Sequence, residues 1–472
     1  MPVFNGESPK EECGVLGIFA PKEDVSRLAY FGLSALQHRG QEAAGLAVSD
    51  GHQLRLHKDI GLVSQVFDPQ TLSTIKGDFA IGHTRYSTTG SSSARNAQPF
   101  LIDTRYGPIA LAHNGNLVNA AELRQKLLEQ GVGLSSTSDT EVMTMMLACS
   151  NGDTWFERLK DAIQHWVGAF SLVILTRDQV FAVRDPWGFH PLNVGMLPGG
   201  GHVAASEIGA LRTLGCEAYR EVFPGEIIAL SNTALTAFQA LPVAEPTGYC
   251  TFEDIYFSRP DNIFDGRNVH TIRRRLGENL AKECPVDADV VIPVPDSSIP
   301  AAIGYAAKSG IPYNDGFIKN RYIGRTFIEP NDSLRKLGIA LKYNVILENI
   351  VGKRVVMVDD SIVRGNTTGP LVQLLRSAGV KEVHLRITCP PIKHPCFMGV
   401  DMGTYDELIA HRYSVDEICR YVDGDSLAYL SMEGMMDAIG RKNGYCNACF
   451  TGKYPVPLAV GMTKTGFEDS IG

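Results

Sequence analysis

Residues 355–379 read VVMVDDSIVRGNTTGPLVQLLRSAG. Four apolar residues in a row, without polar alternation, describe a short strand covered on both faces, as in a parallel sheet. The strand delivers Asp359 and Asp360 to its C-terminal end, where open α/β sheets place ligands. Ser361 to Thr368 are then rich in hydroxyls and glycine, and GPLVQLLRSAG continues with helical spacing. Backbone N–H groups and hydroxyls ahead of a helix N-terminus make a phosphate site. Two adjacent carboxylates would repel a phosphate, but they suit sugar hydroxyls and Mg2+. The stretch therefore asks for a ligand with a phosphate at one end and a hydroxylated, metal-bridged part at the other.

The same pattern recurs on either side. ADVVIPVPD (288–296) and KEVHLRITCPP (381–391) each set a short apolar strand before a loop, with helical patterns between. These strands predict a parallel-sheet domain. Upstream, ALPVAEPTGYCTFE (240–253), with two prolines and a glycine, reads as a linker. Before it the texture differs. GVLGIFA (14–20), GPIALAHNG (107–115), AFSLVILTRDQVFAVRD (169–185) and GEIIALSNTALTAF (225–238) are apolar runs broken by turn residues. They predict hairpins and mostly antiparallel sheets. Helical periodicity marks 24–40 and 138–150. The fold class is therefore α/β overall. The expected division is a leader (1–12), a strand-rich domain (13–245), a parallel-sheet domain (246–455) and a tail (456–472).

The chain has 472 residues, 44% of them hydrophobic and 20% charged, which gives ample core for two or three domains. A net charge of −8 argues against general binding to nucleic acid or anionic membranes. No apolar run approaches the ~18 residues of a membrane span. Residues 1–12 have neither the basic nor the apolar region of a secretory signal. A cytoplasmic chain is expected, in which the ten cysteines serve cores, catalysis or metal binding rather than disulfides.

Residues 355–368 resemble the phosphoribosyl pyrophosphate signature of type I phosphoribosyltransferases. The resemblance implies that Asp359 and Asp360 hold the ribose 2- and 3-hydroxyls. Ser361, Arg364, Gly365, Thr367 and Thr368 would then surround the 5-phosphate. VVIPVPDSSIPAAIGYA (290–306) resembles that family's pyrophosphate loop, with Ser297 joining Asp359 and Asp360 as the Mg2+ contacts. GFIKNRYIGRTFIEPNDSLR (316–335) resembles its mobile lid and carries Lys319, Arg321 and Arg325. On residue type alone, those basic side chains also fit a solvated face.

In the first half, CGVLGIF (13–19), LQHRGQEAAG (36–45), GHTRYSTTG (82–90), LAHNGNLVN (111–119) and SSTSDTE (135–141) follow in order. Singly, HNGN fits a hairpin turn, SDTE a capping box and Cys13 a core cysteine. Together they resemble the class II glutamine amidotransferase domain of the N-terminal nucleophile hydrolases. That resemblance implies a four-layer αββα sandwich of the α+β type, and a nucleophilic Cys13 that is the first residue of the mature chain. A terminal α-amine, with a pKa of ~7.7–8.0 against ~8.5 for a thiol, can take the thiol proton itself. Bonded to Glu12, the Cys13 nitrogen is an amide and has no basic lone pair. Residues 1–12 are therefore expected to be a propeptide. The resemblance further gives Asn114 (side chain) and Gly115 (N–H) as oxyanion donors. Arg85 would clamp the glutamine carboxylate, and Asp139 would receive its ammonium. His83 and His113 are expected to be structural, because the α-amine already supplies the base.

NGYCNACFTGKYP (443–455) holds Cys446 and Cys449 in C-x-x-C spacing. Cys250 and Cys396 sit in contexts resembling the iron–sulfur ligands of one branch of the amidophosphoribosyltransferase family. Four thiolates suit a [4Fe–4S] cluster or a four-cysteine zinc site, and spacing does not separate them. Cys149, Cys216, Cys284, Cys389 and Cys419 are expected in cores, with Cys389 the closest competitor to Cys396. Both halves, in this order, resemble amidophosphoribosyltransferases of the iron–sulfur, propeptide-bearing kind. This implies glutamine and phosphoribosyl pyrophosphate as substrates, phosphoribosylamine, glutamate and pyrophosphate as products, and a place in purine synthesis. It also implies feedback by purine nucleotides and a homotetramer. The rivals are another class II amidotransferase, making an amino sugar or asparagine, and a non-catalytic ligand sensor built on a phosphoribosyltransferase fold.

Overall fold

The computed structural model describes residues 13–86, 94–231, 235–320, 342–402 and 404–458. The expected leader, Arg321, Arg325 and most of the tail lie outside the described residues.

Two antiparallel sheets lie face to face in the first half. One orders its seven strands Ala218–Glu221, Asn193–Met196, His202–Ala205, Gly14–Phe19, Phe79–Arg85, Ala43–Ser49 and Leu54–Ile60. The other orders its six Leu235–Gln239, Glu226–Leu230, Val180–Arg184, Gly168–Leu175, Gly107–Leu117 and Phe100–Thr104. Period-2 alternation, with both faces covered, explains why the central strand Gly14–Phe19 is apolar throughout. In Gly14–Phe19, Val15 and Phe19 face the other sheet and pack with Ala112, Val173 and Ile228. Leu16 and Ile18 point the opposite way, into helices Val25–Ala35 and Ile208–Thr213. Helices Ala120–Glu129, Asp139–Cys149 and Trp155–Ala162 cover the second sheet through Leu123, Val142 and Leu159. The order of layers is helix, sheet, sheet, helix, the sandwich expected from the sequence.

The second half contains a parallel sheet ordered Val290–Pro293, Arg354–Asp359, Glu382–Ile387 and Ser426–Tyr429. Val356 and Val358 face helices Val269–Glu283 and Ile299–Ser309; Val355 and Met357 face helix Thr368–Ser377. Both faces are covered, which is why VVMV carries no polar residue. Among the described residues no helix is long and apolar enough to cross a membrane.

Three local readings change. HNGN is not a turn: it lies within strand Gly107–Leu117, with Asn114 opposite Ser171 and Gly115 opposite Phe170. SDTE opens a helix, with Ser138 as N-cap, but Glu141 does not close a capping box. Its carboxylate instead accepts from the Ser135 and Ser136 N–H groups at 2.8 and 2.7 Å. Cys149 is exposed rather than in a core, and Cys284 and Cys419 are only half-buried. Cys149 sits two positions past the buried Leu147, about 200° around the helix, and so leaves the apolar stripe.

Candidate functional site

Cys13 immediately precedes strand Gly14–Phe19 and is buried. Its Sγ lies 3.3 Å from the Tyr86 carbonyl oxygen and accepts from the Tyr86 N–H at 3.4 Å. Arg85, also buried, is therefore next to the residue that touches the thiol. Antiparallel pairing sets Val15 beside His83, and His83 Nε2 donates to the His113 carbonyl at 3.1 Å. This links the Cys13 strand region to the residue before Asn114. Asn114 is buried, and its Nδ2 has no hydrogen-bond partner among the described residues. A buried amide donor without a partner costs about 1–3 kcal/mol. Such a group fits a site where an oxyanion develops. Gly115 has φ 142°, and a Cβ there would come 2.1 Å from the Ala169 oxygen, so only glycine fits.

The two histidines have distinct surroundings. Burial holds the His83 pKa down at about 3, with the neighbouring Arg85 charge adding to the effect, so its imidazole is neutral. His113 Nδ1 stands 3.5 Å from Asp139 Oδ2, and its Nε2 contacts the Ala169 oxygen at 3.1 Å. Burial pushes Asp139 up, but His113 and the N–H donors of Leu117 and Thr140 outweigh it and leave the carboxyl below its usual range. Asp139 is thus an anion, held at the first residue of its helix next to strand Gly107–Leu117.

Sequence reading missed a buried charge cluster beneath Cys13. Arg39 donates to the Cys13 carbonyl at 3.1 Å, to Glu207 at 2.7 Å and to Glu253 at 2.6 Å. Glu253 comes from the parallel-sheet half, so this guanidinium ties the two halves together under the thiol. Arg39 lies in the quoted stretch LQHRGQEAAG, but nothing in that stretch points to its acidic partners.

At the second site, Asp359 and Asp360 end the central strand and are both buried. Ser297 donates to Asp360 at 2.5 Å, Ser361 donates to Asp360 at 2.9 Å, and Ser298 donates to Asp359 at 3.2 Å. Burial, then repulsion from Asp360, raises Asp359 well above the carboxylate range. Burial also raises Asp360, against the hydroxyls of Ser297 and Ser361 and the Arg273 charge. A crowded acidic pair of this kind is relieved by a cation or by hydroxyl donors. Gly365 has φ 78°, the left-handed turn that brings Thr367 to the N-cap of helix Thr368–Ser377. Arg364 is buried and pairs with Glu407 at 3.2 Å. Lys319 reaches back to Asp296, beside Ser297, at 2.9 Å. Ser298 and the buried Arg273 were not anticipated; Arg273 lies on the apolar face of Val269–Glu283, where spacing suggests packing.

The four singled-out cysteines converge. Tyr249–Cys250 and Tyr445–Cys446 form a two-residue parallel ladder. Lys393 and His394 donate to the Cys449 carbonyl at 2.9 and 3.0 Å, which brings the Cys396 segment alongside. Cys250, Cys396, Cys446 and Cys449 line one cavity with Phe252 and Tyr454. Cys389 does not line it; burial pushes its thiol up, and the Asp360 and Asp359 charges add to the effect. Among the described residues, no three His, Cys, Asp or Glu side chains gather closely enough to hold a single metal ion.

Residues 83–213 match the family model described as a glutamine amidotransferase domain. The amidophosphoribosyltransferase of Synechococcus elongatus is 50% identical over 458 residues, covering 96% of this chain and 93% of its own. The human amidophosphoribosyltransferase is 44% identical over 507 residues, covering 95% and 98%. The solved glutamine phosphoribosylpyrophosphate amidotransferase from B. subtilis, complexed with ADP and GMP, superposes with a TM-score of 0.89 at 46% identity, covering 96% of this chain and 99% of that one. With relatives this similar over almost its whole length, the chain belongs to the amidophosphoribosyltransferase family.

Proposed function

We propose that the chain hydrolyses glutamine at Cys13 and passes the ammonia to phosphoribosyl pyrophosphate, giving 5-phosphoribosylamine, glutamate and pyrophosphate as the first committed step of purine synthesis. The observation that carries this reading is a buried, unpartnered Asn114 donor on the strand that His83 links to the Cys13 strand, in the same chain as a buried acidic pair that opens a phosphate loop.

In this reading, cleavage of the Glu12–Cys13 bond turns the Cys13 nitrogen into an amine able to take the thiol proton. Arg85 and Asp139 hold the far end of glutamine while the sulfur attacks the side-chain amide carbon. Asn114 Nδ2 and the Gly115 N–H receive the resulting oxyanion. Collapse breaks the C–N bond and releases ammonia, and water then hydrolyses the thioester to glutamate. At the second site, Asp359 and Asp360 accept from the ribose hydroxyls, and residues 361–368 enclose the 5-phosphate. Lys319, Arg321 and Arg325 supply positive charge to the leaving pyrophosphate. Ammonia attacks the sugar C1 as the bond to pyrophosphate breaks.

Ser297, Asp359 and Asp360 would hold Mg2+, which neutralises pyrophosphate charge when bound. Two carboxylates with substrate oxygens completing the shell is the usual Mg2+ arrangement. Cys250, Cys396, Cys446 and Cys449 would hold a [4Fe–4S] cluster, which ties distant parts of the chain together. Four thiols lining one cavity supply the ligand count that a [4Fe–4S] cluster takes. The B. subtilis relative was solved with ADP and GMP. Purine nucleotides are accordingly proposed as inhibitors here, overlapping the phosphoribosyl site, in a homotetramer.

The test is product analysis of purified enzyme given glutamine with and without phosphoribosyl pyrophosphate. Equal glutamate and pyrophosphate, dependent on both substrates, supports the reading. Glutamate release with no pyrophosphate under any condition overturns it. Intact-mass analysis of active protein should show residues 1–12 removed; full glutaminase activity in a chain that keeps Met1 would overturn the processing step.

A further inference from the structure

The oxyanion strand is braced by a segment from the other half of the chain. A Cβ built on Gly399 would come 2.9 Å from the Gly115 Cα and 3.0 Å from the Gly115 carbonyl carbon. The two glycines pack backbone to backbone. Asn116, one residue further, donates Nδ2–H to the Phe397 carbonyl at 2.9 Å. His190, fully buried in the two-sheet half, donates Nε2–H to the Met398 carbonyl at 2.6 Å. The same imidazole stands 3.6 Å from Glu253, the acid that Arg39 joins to the Cys13 carbonyl. Ser171, the strand partner of Asn114, donates to the His190 carbonyl at 3.2 Å. Residues 397–399 thus touch both the strand of the oxyanion donors and the network beneath the nucleophile. An apolar cluster of Ala169, Phe189, Phe397, Met398 and Val456 keeps water from the joint.

We propose that Gly399 is a positioning residue for glutamine hydrolysis: its bare Cα is the stop that sets Gly115, and with it the direction of the Gly115 N–H and the Asn114 amide. This rests on the reading of Asn114 and Gly115 as the oxyanion donors. A methyl group at 399 meets Gly115 backbone rather than a flexible side chain and also strains the residue's own backbone, which has φ 110°, so the contact between the two glycines must shift. An oxyanion donor moved by a few tenths of an ångström stabilises the tetrahedral intermediate less, while ground-state glutamine, held at its far end by Arg85 and Asp139, is little affected.

The experiment compares Gly399→Ala, Asn116→Ala and Asn114→Ala with wild-type processed enzyme. The expected result for the first two is a glutaminase kcat lower by about 10- to 1000-fold. Their KM for glutamine should stay within about twofold, since uniform binding is untouched. Synthesis from added ammonia should be unchanged. Alkylation of Cys13 by iodoacetamide, which needs no oxyanion site, should keep its wild-type rate. Inhibition by the aldehyde analogue of glutamine, whose thiol adduct carries the oxyanion, should weaken in step with kcat. Should Gly399→Ala fail to fold, Asn116→Ala decides alone, since it removes the Phe397 hydrogen bond without adding bulk. Wild-type kcat and aldehyde inhibition in the folded variants would overturn the proposal. So would ammonia-dependent synthesis falling in parallel, which marks a general structural lesion. Full glutaminase activity in Asn114→Ala would overturn the underlying assignment of the donors, a result distinct from failure at Gly399.

Discussion

Arg39 and Glu253 meet at 2.6 Å with neither side chain exposed to water. Their pairing joins the two halves of the chain directly under the Cys13 carbonyl, and Glu207 completes the cluster at 2.7 Å. Removing the guanidinium takes the buried cation from two buried carboxylates, leaving Glu207 with His38 and Glu253 with the Ser258 hydroxyl. Arg39→Leu should therefore cost about 3–5 kcal/mol. Arg39→Lys should recover only part of this, because one ammonium cannot make the forked contacts to both acids and a carbonyl. Urea unfolding midpoints measure it; a midpoint for Arg39→Leu equal to wild type would contradict the role given to this cluster.

The same cluster sets an acid limit. Burial pushes the Glu207 carboxyl up, but His38 and Arg39 overcome it and bring its pKa down to about 2. In the unfolded chain a glutamate titrates near ~4.3. The folded state therefore binds fewer protons, and its extra stability is fully present above ~4.3 and lost as pH falls from there toward ~2. Thermal midpoints of wild type and Glu207→Gln, followed from about pH 6 to about pH 2, should converge across that window. A constant gap between the two proteins at every pH would show that Glu207 is not depressed.

Asp359→Asn with Asp360→Asn should abolish synthesis from glutamine and from ammonia alike. The double change keeps the shape and removes the charge proposed to accept the ribose hydroxyls and to hold the cation, an expected loss of several kcal/mol. Phosphoribosylamine formation from ammonium chloride is the assay. Near-normal rates would place the sugar site elsewhere.

Metal analysis of anaerobically purified protein should give about four irons per chain with a brown chromophore. Serine at Cys250, Cys396, Cys446 or Cys449 should give colourless, poorly folded protein, whereas Cys389→Ser, outside the cavity, should retain iron. Air exposure should bleach the chromophore and reduce activity together. About one zinc and no iron per chain would overturn the assignment.

Much of this was legible locally. VVMVDD announced its own sheet, because a strand covered on both faces cannot hide a polar residue, and the two aspartates mark where that cover ends. Cys13, Asn114, Asp139 and the four cavity cysteines stood out through short motifs. What stayed hidden were partners brought together only by the fold. Glu253 and Glu207 look like ordinary charges in sequence, yet they meet Arg39 from distant elements. His190 and Gly399 belong to no motif; their meaning comes from the joint between the halves. The strand Ser426–Tyr429 is short and half-buried, with little apolar signal to announce it. Cys149 shows the converse, a cysteine in an apolar helix whose angle carries it to the surface.

The central claim is that one chain makes ammonia at Cys13 and uses it at Asp359–Asp360. Its most direct test is the nitrogen source used by a processed Cys13→Ala enzyme, since an alanine at the first position keeps the α-amine and removes only the sulfur. Phosphoribosylamine should form at close to the wild-type rate from added ammonium and not at all from glutamine. Formation from glutamine in this variant, or loss of the ammonium-dependent rate along with it, would contradict the account.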